Sequence, residues 1–195
     1  MRVFFTILLA CCTLFVQAQP QKLLVLGDSL SAGYGMTQQQ GWVHLLQQQQ
    51  NHWQLINASI SGETTAGGLA RLPELLKTHQ PDAVLIELGG NDGLRGFPVA
   101  QLEKNLSAII RLVQQQQAKA ILMQIRIPPN YGPRYNKLFV DLYPALAEKH
   151  QVHYWPFFMD QIATDPSLML SDGIHPNEKA QPIIRDFILP LLLKL

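Results

Sequence analysis

This 195-residue sequence predicts an α/β fold, a parallel sheet with helices covering both faces. Three observations carry that expectation. Apolar runs of strand length recur five times, segments with helical periodicity fall between them, and turns rich in polar residues follow several of the runs. The length suits one domain whose core buries roughly 70% of the unfolded surface, and no second domain is expected.

The first strand is Leu23-Leu24-Val25-Leu26, within KLLVLGDSLS at residues 22–31. It runs into a Gly27-Asp28 turn and presents Ser29 at its carboxyl end, where ligands bind in open α/β sheets. Residues 41–50 suit a short helix with Trp42, Leu45 and Leu46 on one side, and residues 53–58 a second strand. A helix is expected over 68–79, striped by Leu69, Leu72, Leu75 and Leu76 and stopped by Pro81-Asp82. Residues 83–88 make the third strand. Pro98 opens a helix in which Val99, Leu102, Leu106, Ile109, Ile110 and Val113 share one face. The fourth strand spans 120–127 and ends in the loop Pro128-Pro129-Asn130-Tyr131-Gly132-Pro133. Tyr135, Leu138, Phe139, Leu142 and Leu146 mark another helix, with a kink expected at Pro144. A weak fifth strand at 152–155 precedes a last helix, 177–195, interrupted by Pro182 and Pro190. The glutamine runs at 38–40, 47–50 and 114–117 read as solvated surface and say nothing of function.

A formal net charge of +1 lacks the basic excess of a nucleic-acid binder. The N-terminus is a distinct segment. Met1-Arg2 is positive, residues 3–16 are nearly all apolar, and Val16-Gln17-Ala18 is a small-residue cleavage site before Gln19-Pro20. This predicts a signal peptide over 1–18, a mature domain over 19–195, and a periplasmic or secreted protein. The apolar run is shorter than the about 20 residues of a comfortable span, so no stable membrane span is expected in the mature form. Both cysteines, Cys11 and Cys12, fall inside the leader and would leave with it. Leu8-Leu9-Ala10-Cys11 also faintly matches a lipoprotein processing site, which would make Cys11 a lipidation site.

Four pieces could carry chemistry. Gly27-Asp28-Ser29-Leu30-Ser31 is either a nucleophile turn or an ordinary one, and Ser31 at its fifth position departs from the Gly-x-Ser-x-Gly elbow of α/β-hydrolases. Asp172-Gly173-Ile174-His175-Pro176 offers a carboxylate that orients an imidazole, a pair of metal ligands, or a capped turn. Metal binding needs a further ligand, and His44, His52, His79, His150 and His153 show no such spacing. Gly89-Gly90-Asn91-Asp92-Gly93 follows the third strand and puts an amide at the sheet edge, while Gly62, after the second strand, could present a bare N–H. Alone, the serine turn and Gly89 to Gly93 read as well as plain turns, Gly62 reads better as a loop glycine, and Asp172 with His175 reads better as a triad pair than as a turn or metal ligands. Together they would gather a serine, a base, a carboxylate and hydrogen-bond donors at one edge, which acyl transfer requires.

In their order along the chain, Gly27-Asp28-Ser29-Leu30-Ser31, Gly62, Gly90-Asn91-Asp92 and Asp172-Gly173-Ile174-His175-Pro176 resemble the four blocks of the SGNH hydrolases, also called the GDSL family. That resemblance implies a three-layer α/β/α sandwich, flavodoxin-like, with five parallel strands in the order 2-1-3-4-5. It implies Ser29 as nucleophile, His175 as general base and then acid, and Asp172 as the group orienting His175. The oxyanion hole would comprise the Ser29 and Gly62 N–H groups and the Asn91 amide. The implied substrates are small-molecule acyl esters and thioesters (fatty acyl-CoA, lysophospholipids, aryl esters), taken by a monomer with no metal or cofactor. Leu94 and Phe97, with Ile127 and Pro128, could line an acyl groove beside Ser29 or stand in plain surface turns. A flavodoxin-like sheet could also hold a flavin or phosphate at the same edge. However, no Gly-x-Gly-x-x-Gly or Walker loop is present, and Asp28 would repel phosphate.

Overall fold

Strand β1 (Gln21–Gly27) lies one place in from the edge of a five-stranded sheet, in a computed structural model that describes residues 20–195. The predicted leader, 1–18, with Cys11 and Cys12, lies outside the described residues. On one side β1 pairs with β2 (Trp53–Asn57), and on the other with β3 (Ala83–Glu87); β4 (Lys119–Met123) and β5 (His153–Trp155) complete the sheet beyond β3. All four pairings are parallel, and the order is β2-β1-β3-β4-β5. The expected architecture and strand order are met.

Parallel strands buried on both faces need continuous apolar runs rather than alternation. Leu23 to Leu26 and Val84 to Ile86 supply them, each fully inaccessible to solvent. Helices α3 (Thr65–His79), α5 (Val99–Gln115) and α6 (Pro133–His150) pack side by side in one layer, and α2 (Trp42–Gln49) packs with α7 (Gln181–Leu192) in the other. Along α5, Leu102, Leu106, Ile109, Ile110 and Val113 are all fully buried, as their spacing predicts. Helix α3 starts three residues before the expected position because the Thr64 hydroxyl caps it, accepting from the Gly67 N–H at 3.2 Å. Its Gly68 lets the helix approach the sheet, since a Cβ there would collide with the side chain of Leu88.

Three expectations are corrected. The fourth strand ends at Met123, not Ile127, because β5 offers only three partners and the chain then leaves the sheet. Ile125 and Ile127 stay buried by packing outside the sheet, so the apolar run outlasts the strand. Pro182 lies in the first turn of α7, where a missing N–H costs nothing, so it opens that helix rather than interrupting it. Third, α7 runs on through Pro190, where an interruption was expected, with Ile184, Ile188 and Leu192 buried along it. No helix among the described residues is long and apolar enough to cross a membrane.

Candidate active site

The chain leaves β1 towards β2 and later returns to the other side of β1 as β3. A crevice therefore opens at the carboxyl ends of β1 and β3, the position where such sheets bind ligands. Ser29 stands at that crevice as the first residue of a four-residue helix, α1 (Ser29–Ala32), a place where the backbone N–H has no acceptor within the helix. Asp28 caps it, its carboxylate accepting from the Leu30 N–H at 3.0 Å. Gly27 must be glycine, because a Cβ there would lie 2.6 Å from Glu87 Oε2 and 2.8 Å from Ser59 Oγ.

His175 comes from a loop 146 residues further on. Its Nε2 lies 2.9 Å from Ser29 Oγ, and its Nδ1 lies 2.7 Å from Asp172 Oδ2. The other oxygen of Asp172 accepts from the backbone N–H groups of Ile174 and His175 at 2.9 and 3.0 Å, a tight turn that Gly173 permits by its φ of +67°. The His175 N–H, then the imidazole and the Ile174 N–H, hold the Asp172 carboxyl down to about 2. Asp172 is thus an anion at any ordinary pH, and its bond to Nδ1 leaves Nε2 as the acceptor facing the serine.

The three donors expected at an oxyanion site are held through separate devices. Asn91 lies on α4 (Gly90–Leu94), a single helical turn where only a glycine-rich strand-to-helix turn was expected. Its Nδ2 donates to Asp28 Oδ2 at 3.1 Å, which uses one amide hydrogen and leaves the other without a partner among the described residues. Gly62 has a φ of +79°, and its N–H makes no hydrogen bond among the described residues. Its carbonyl accepts from Arg95 at 3.3 Å. A buried knot ties the Gly62 loop to α4: Thr65 donates from its N–H to Asp92 Oδ2 at 2.9 Å and from its hydroxyl to Asp92 Oδ1 at 2.6 Å, and Asn105 donates to the same hydroxyl at 3.0 Å.

Under the serine turn lie two buried carboxyl groups. Glu87 Oε2 accepts from the Ser31 hydroxyl at 2.7 Å and from the Asp28 N–H at 3.3 Å, while Oε1 is buried without a partner. Burial, and then the adjacent Asp28, push the Glu87 carboxyl well above the carboxylate range. Burial likewise raises Asp28 to about 6, against the lowering effect of the Leu30 N–H, His175 and Asn91. Both carboxyls are thus biased toward the protonated form, Glu87 by burial and by Asp28 beside it. A raised carboxyl favours the folded state below its unfolded value, and that contribution is lost as pH rises through the folded value. Above pH 4.5, the ordinary glutamate value, Glu87→Gln should gain stability relative to wild type by about 1.4 kcal/mol per pH unit until Glu87 ionises. Urea unfolding across pH measures this, and parallel curves for the two proteins would contradict it.

Two hydrogen bonds link the segments that carry the residues expected to line a groove. Tyr131 donates to the Leu94 carbonyl at 2.9 Å and Tyr135 to the Phe97 carbonyl at 2.6 Å, which fastens the loop after β4 to the loop after α4. Of the expected lining residues, Ile127 is buried, only 8% exposed, Leu94 and Phe97 are half-buried, and Pro128 is exposed. Sequence reasoning missed Glu87, whose one signal was a lone charge closing the run Ala83 to Glu87. It also missed Tyr34, which stacks on His175 with ring centroids 4.2 Å apart; an aromatic between Gly33 and Gly35 was its only trace.

Comparison with known proteins agrees with this geometry. Residues 25–182 match the GDSL-like Lipase/Acylhydrolase family. The chain is 51% identical over 197 residues to an arylesterase of Vibrio mimicus, covering 99% of this chain and 98% of that protein. It is 52% identical over 175 residues to thioesterase 1/protease 1/lysophospholipase L1 of Escherichia coli K12, covering 89% and 84% respectively. Among solved structures, the psychrotrophic esterase EstA of Pseudoalteromonas sp., inhibited by monoethylphosphonate, superposes with a TM-score of 0.87 at 50% identity, over 89% of this chain and 97% of that one. Because the matched span runs from within β1 to the opening of α7 and takes in the serine, the glycine, the asparagine and the aspartate–histidine pair, the chain belongs to the GDSL-like lipase/acylhydrolase family.

Proposed function

We propose that the protein is a serine esterase and thioesterase that hydrolyses small-molecule acyl esters and thioesters through an acyl-serine intermediate. The observation that carries this reading is the 2.9 Å contact between His175 Nε2 and Ser29 Oγ, with Asp172 on the far side of the ring. His175 takes the Ser29 proton as Oγ bonds to the substrate carbonyl carbon, giving a tetrahedral oxyanion. The Ser29 and Gly62 N–H groups and the second Asn91 amide hydrogen stabilise that charge. His175 then protonates the departing alkoxide or thiolate, and the carbon–oxygen or carbon–sulfur bond breaks. Water repeats the sequence and releases the acid.

Asp28 supports Asn91 by occupying one amide hydrogen, which aims the other at the oxyanion. Asn91→Ala should lower kcat by about 10²–10³, the usual loss for one donor, with KM little changed. A variant whose kcat stays near wild type would remove Asn91 from the oxyanion site.

Fatty acyl thioesters, lysophospholipids and aryl esters are the proposed substrates, in line with the printed activities of the relatives. Leu94, Phe97, Ile127 and Pro128 form the proposed acyl groove. A preference for medium to long chains follows, and a p-nitrophenyl ester series tests it. If kcat/KM falls steadily beyond acetate, a short-chain carbohydrate or aryl acetyl esterase is the better reading.

The domain is proposed to span 19–195 as a monomer, exported to the periplasm or beyond after loss of residues 1–18. Intact mass of the exported protein tests the cleavage, and a chain that retains Cys11 would contradict it.

A further inference from the structure

The histidine loop is held to the rest of the molecule in an unusual way. Among the described residues, the hydrogen bonds of 169–175 run within the segment 165–177: Leu170 N–H to the His175 carbonyl at 2.8 Å, Gly173 N–H to the Leu170 carbonyl at 3.0 Å, and the Asp172 turn. Asn177 adds bonds to Ser167 and Met169 in the same segment. Of the hydrogen bonds that residues 169–175 make among the described residues, the one that leaves this segment is His175 to Ser29. That bond is the one the reaction must break and remake. Something else has to keep the imidazole in place while its proton moves.

Packing against the exit of α1 supplies this. Gly33, with a φ of +77°, turns the chain back, and the Tyr34 N–H donates to the carbonyl of Ser29 itself at 3.2 Å. The Tyr34 ring lies over the His175 ring at a 29° interplanar angle with centroids 4.2 Å apart. Next to it, the Leu170 side chain lies so close to Gly35 that a Cβ there would stand 2.9 Å from Leu170 Cδ1. Yet Tyr34 is 48% exposed, so little of its value is core burial. It belongs to the same short turn as the serine, which fixes the distance between the two reacting groups.

We infer that Tyr34 is a positioning residue for the proton transfer, its ring holding the His175 imidazole in line with Ser29 Oγ and stabilising the imidazolium as it forms. An aromatic face attracts a cation more than a neutral ring, so the contact strengthens as charge develops on His175. Such an interaction favours the transition state over the ground state and acts on kcat rather than KM. The inference rests on the hydrolase reading above.

The test compares Tyr34→Leu and Tyr34→Phe with wild type and Ser29→Ala on a p-nitrophenyl ester, together with the rate of phosphonylation by an aryl phosphonate and the thermal midpoint. Tyr34→Leu should lose about 5- to 30-fold in kcat and in phosphonylation rate, with KM and thermal midpoint nearly unchanged. Tyr34→Phe, which keeps the ring, should recover most of that loss. A Tyr34→Leu protein with wild-type kcat, a loss confined to KM, or a Phe variant as impaired as Leu would overturn the inference while leaving the hydrolase intact. A wild-type protein whose turnover survives Ser29→Ala would overturn both.

Discussion

Ser29→Ala is expected to lower kcat on acyl esters by on the order of 10⁶, to a residue of catalysis that owes nothing to covalent chemistry. The size follows from what the hydroxyl does. It is the one group that faces the crevice, lies 2.9 Å from an imidazole nitrogen and stands beside the proposed oxyanion donors. Removing Oγ leaves water to attack without the effective concentration of a bound nucleophile. Folding should be indifferent, because among the described residues the one side-chain hydrogen bond of Ser29 is to His175, and alanine suits the first turn of a helix. Steady-state kinetics with a thermal melt of the same preparation checks both parts. Turnover within about tenfold of wild type would rule out Ser29 as nucleophile.

His175→Ala should be nearly as severe, again on the order of 10⁶ in kcat, since a serine hydroxyl without a base is a poor nucleophile at neutral pH. Because nucleophile and base act as a unit, the double variant should be little worse than either single one. Kinetics of the three variants would show this. Additive losses, each multiplying the other, would mean that the two residues serve separate steps.

How much of this was legible in the sequence differs by element. β1 and α5 were, because Leu23 to Leu26 and the Leu102 to Val113 stripe carry patterns that only one kind of structure satisfies. The end of β4 was not: Gln124 is buried, bonded to Tyr154 at 2.7 Å, and Ile125 and Ile127 keep the apolar pattern running past the last pair in the ladder. α4 was hidden for the opposite reason. Gly90, Asn91 and Gly93 are poor helix formers, and the turn is held by tertiary packing, where a Cβ on Gly93 would meet Ile127 and Phe139. At the site, the position of Ser29 after a strand and the Asp172–His175 spacing could be read directly. Their meeting across 146 residues was expected from the order of the strands and the family resemblance and not from either motif alone, whereas Tyr34 and Glu87 left no such trace, because their roles exist only once the loops are folded against each other.

The central claim is that a single hydroxyl, made reactive by His175, does the chemistry. Incubation with an aryl organophosphonate, followed by peptide mass analysis alongside the activity, tests it most directly. The account predicts one adduct per chain, on the peptide containing Ser29, with activity falling in proportion to labelling and with no adduct in Ser29→Ala. An adduct on another residue, or full activity in a protein whose Ser29 is completely labelled, would contradict it.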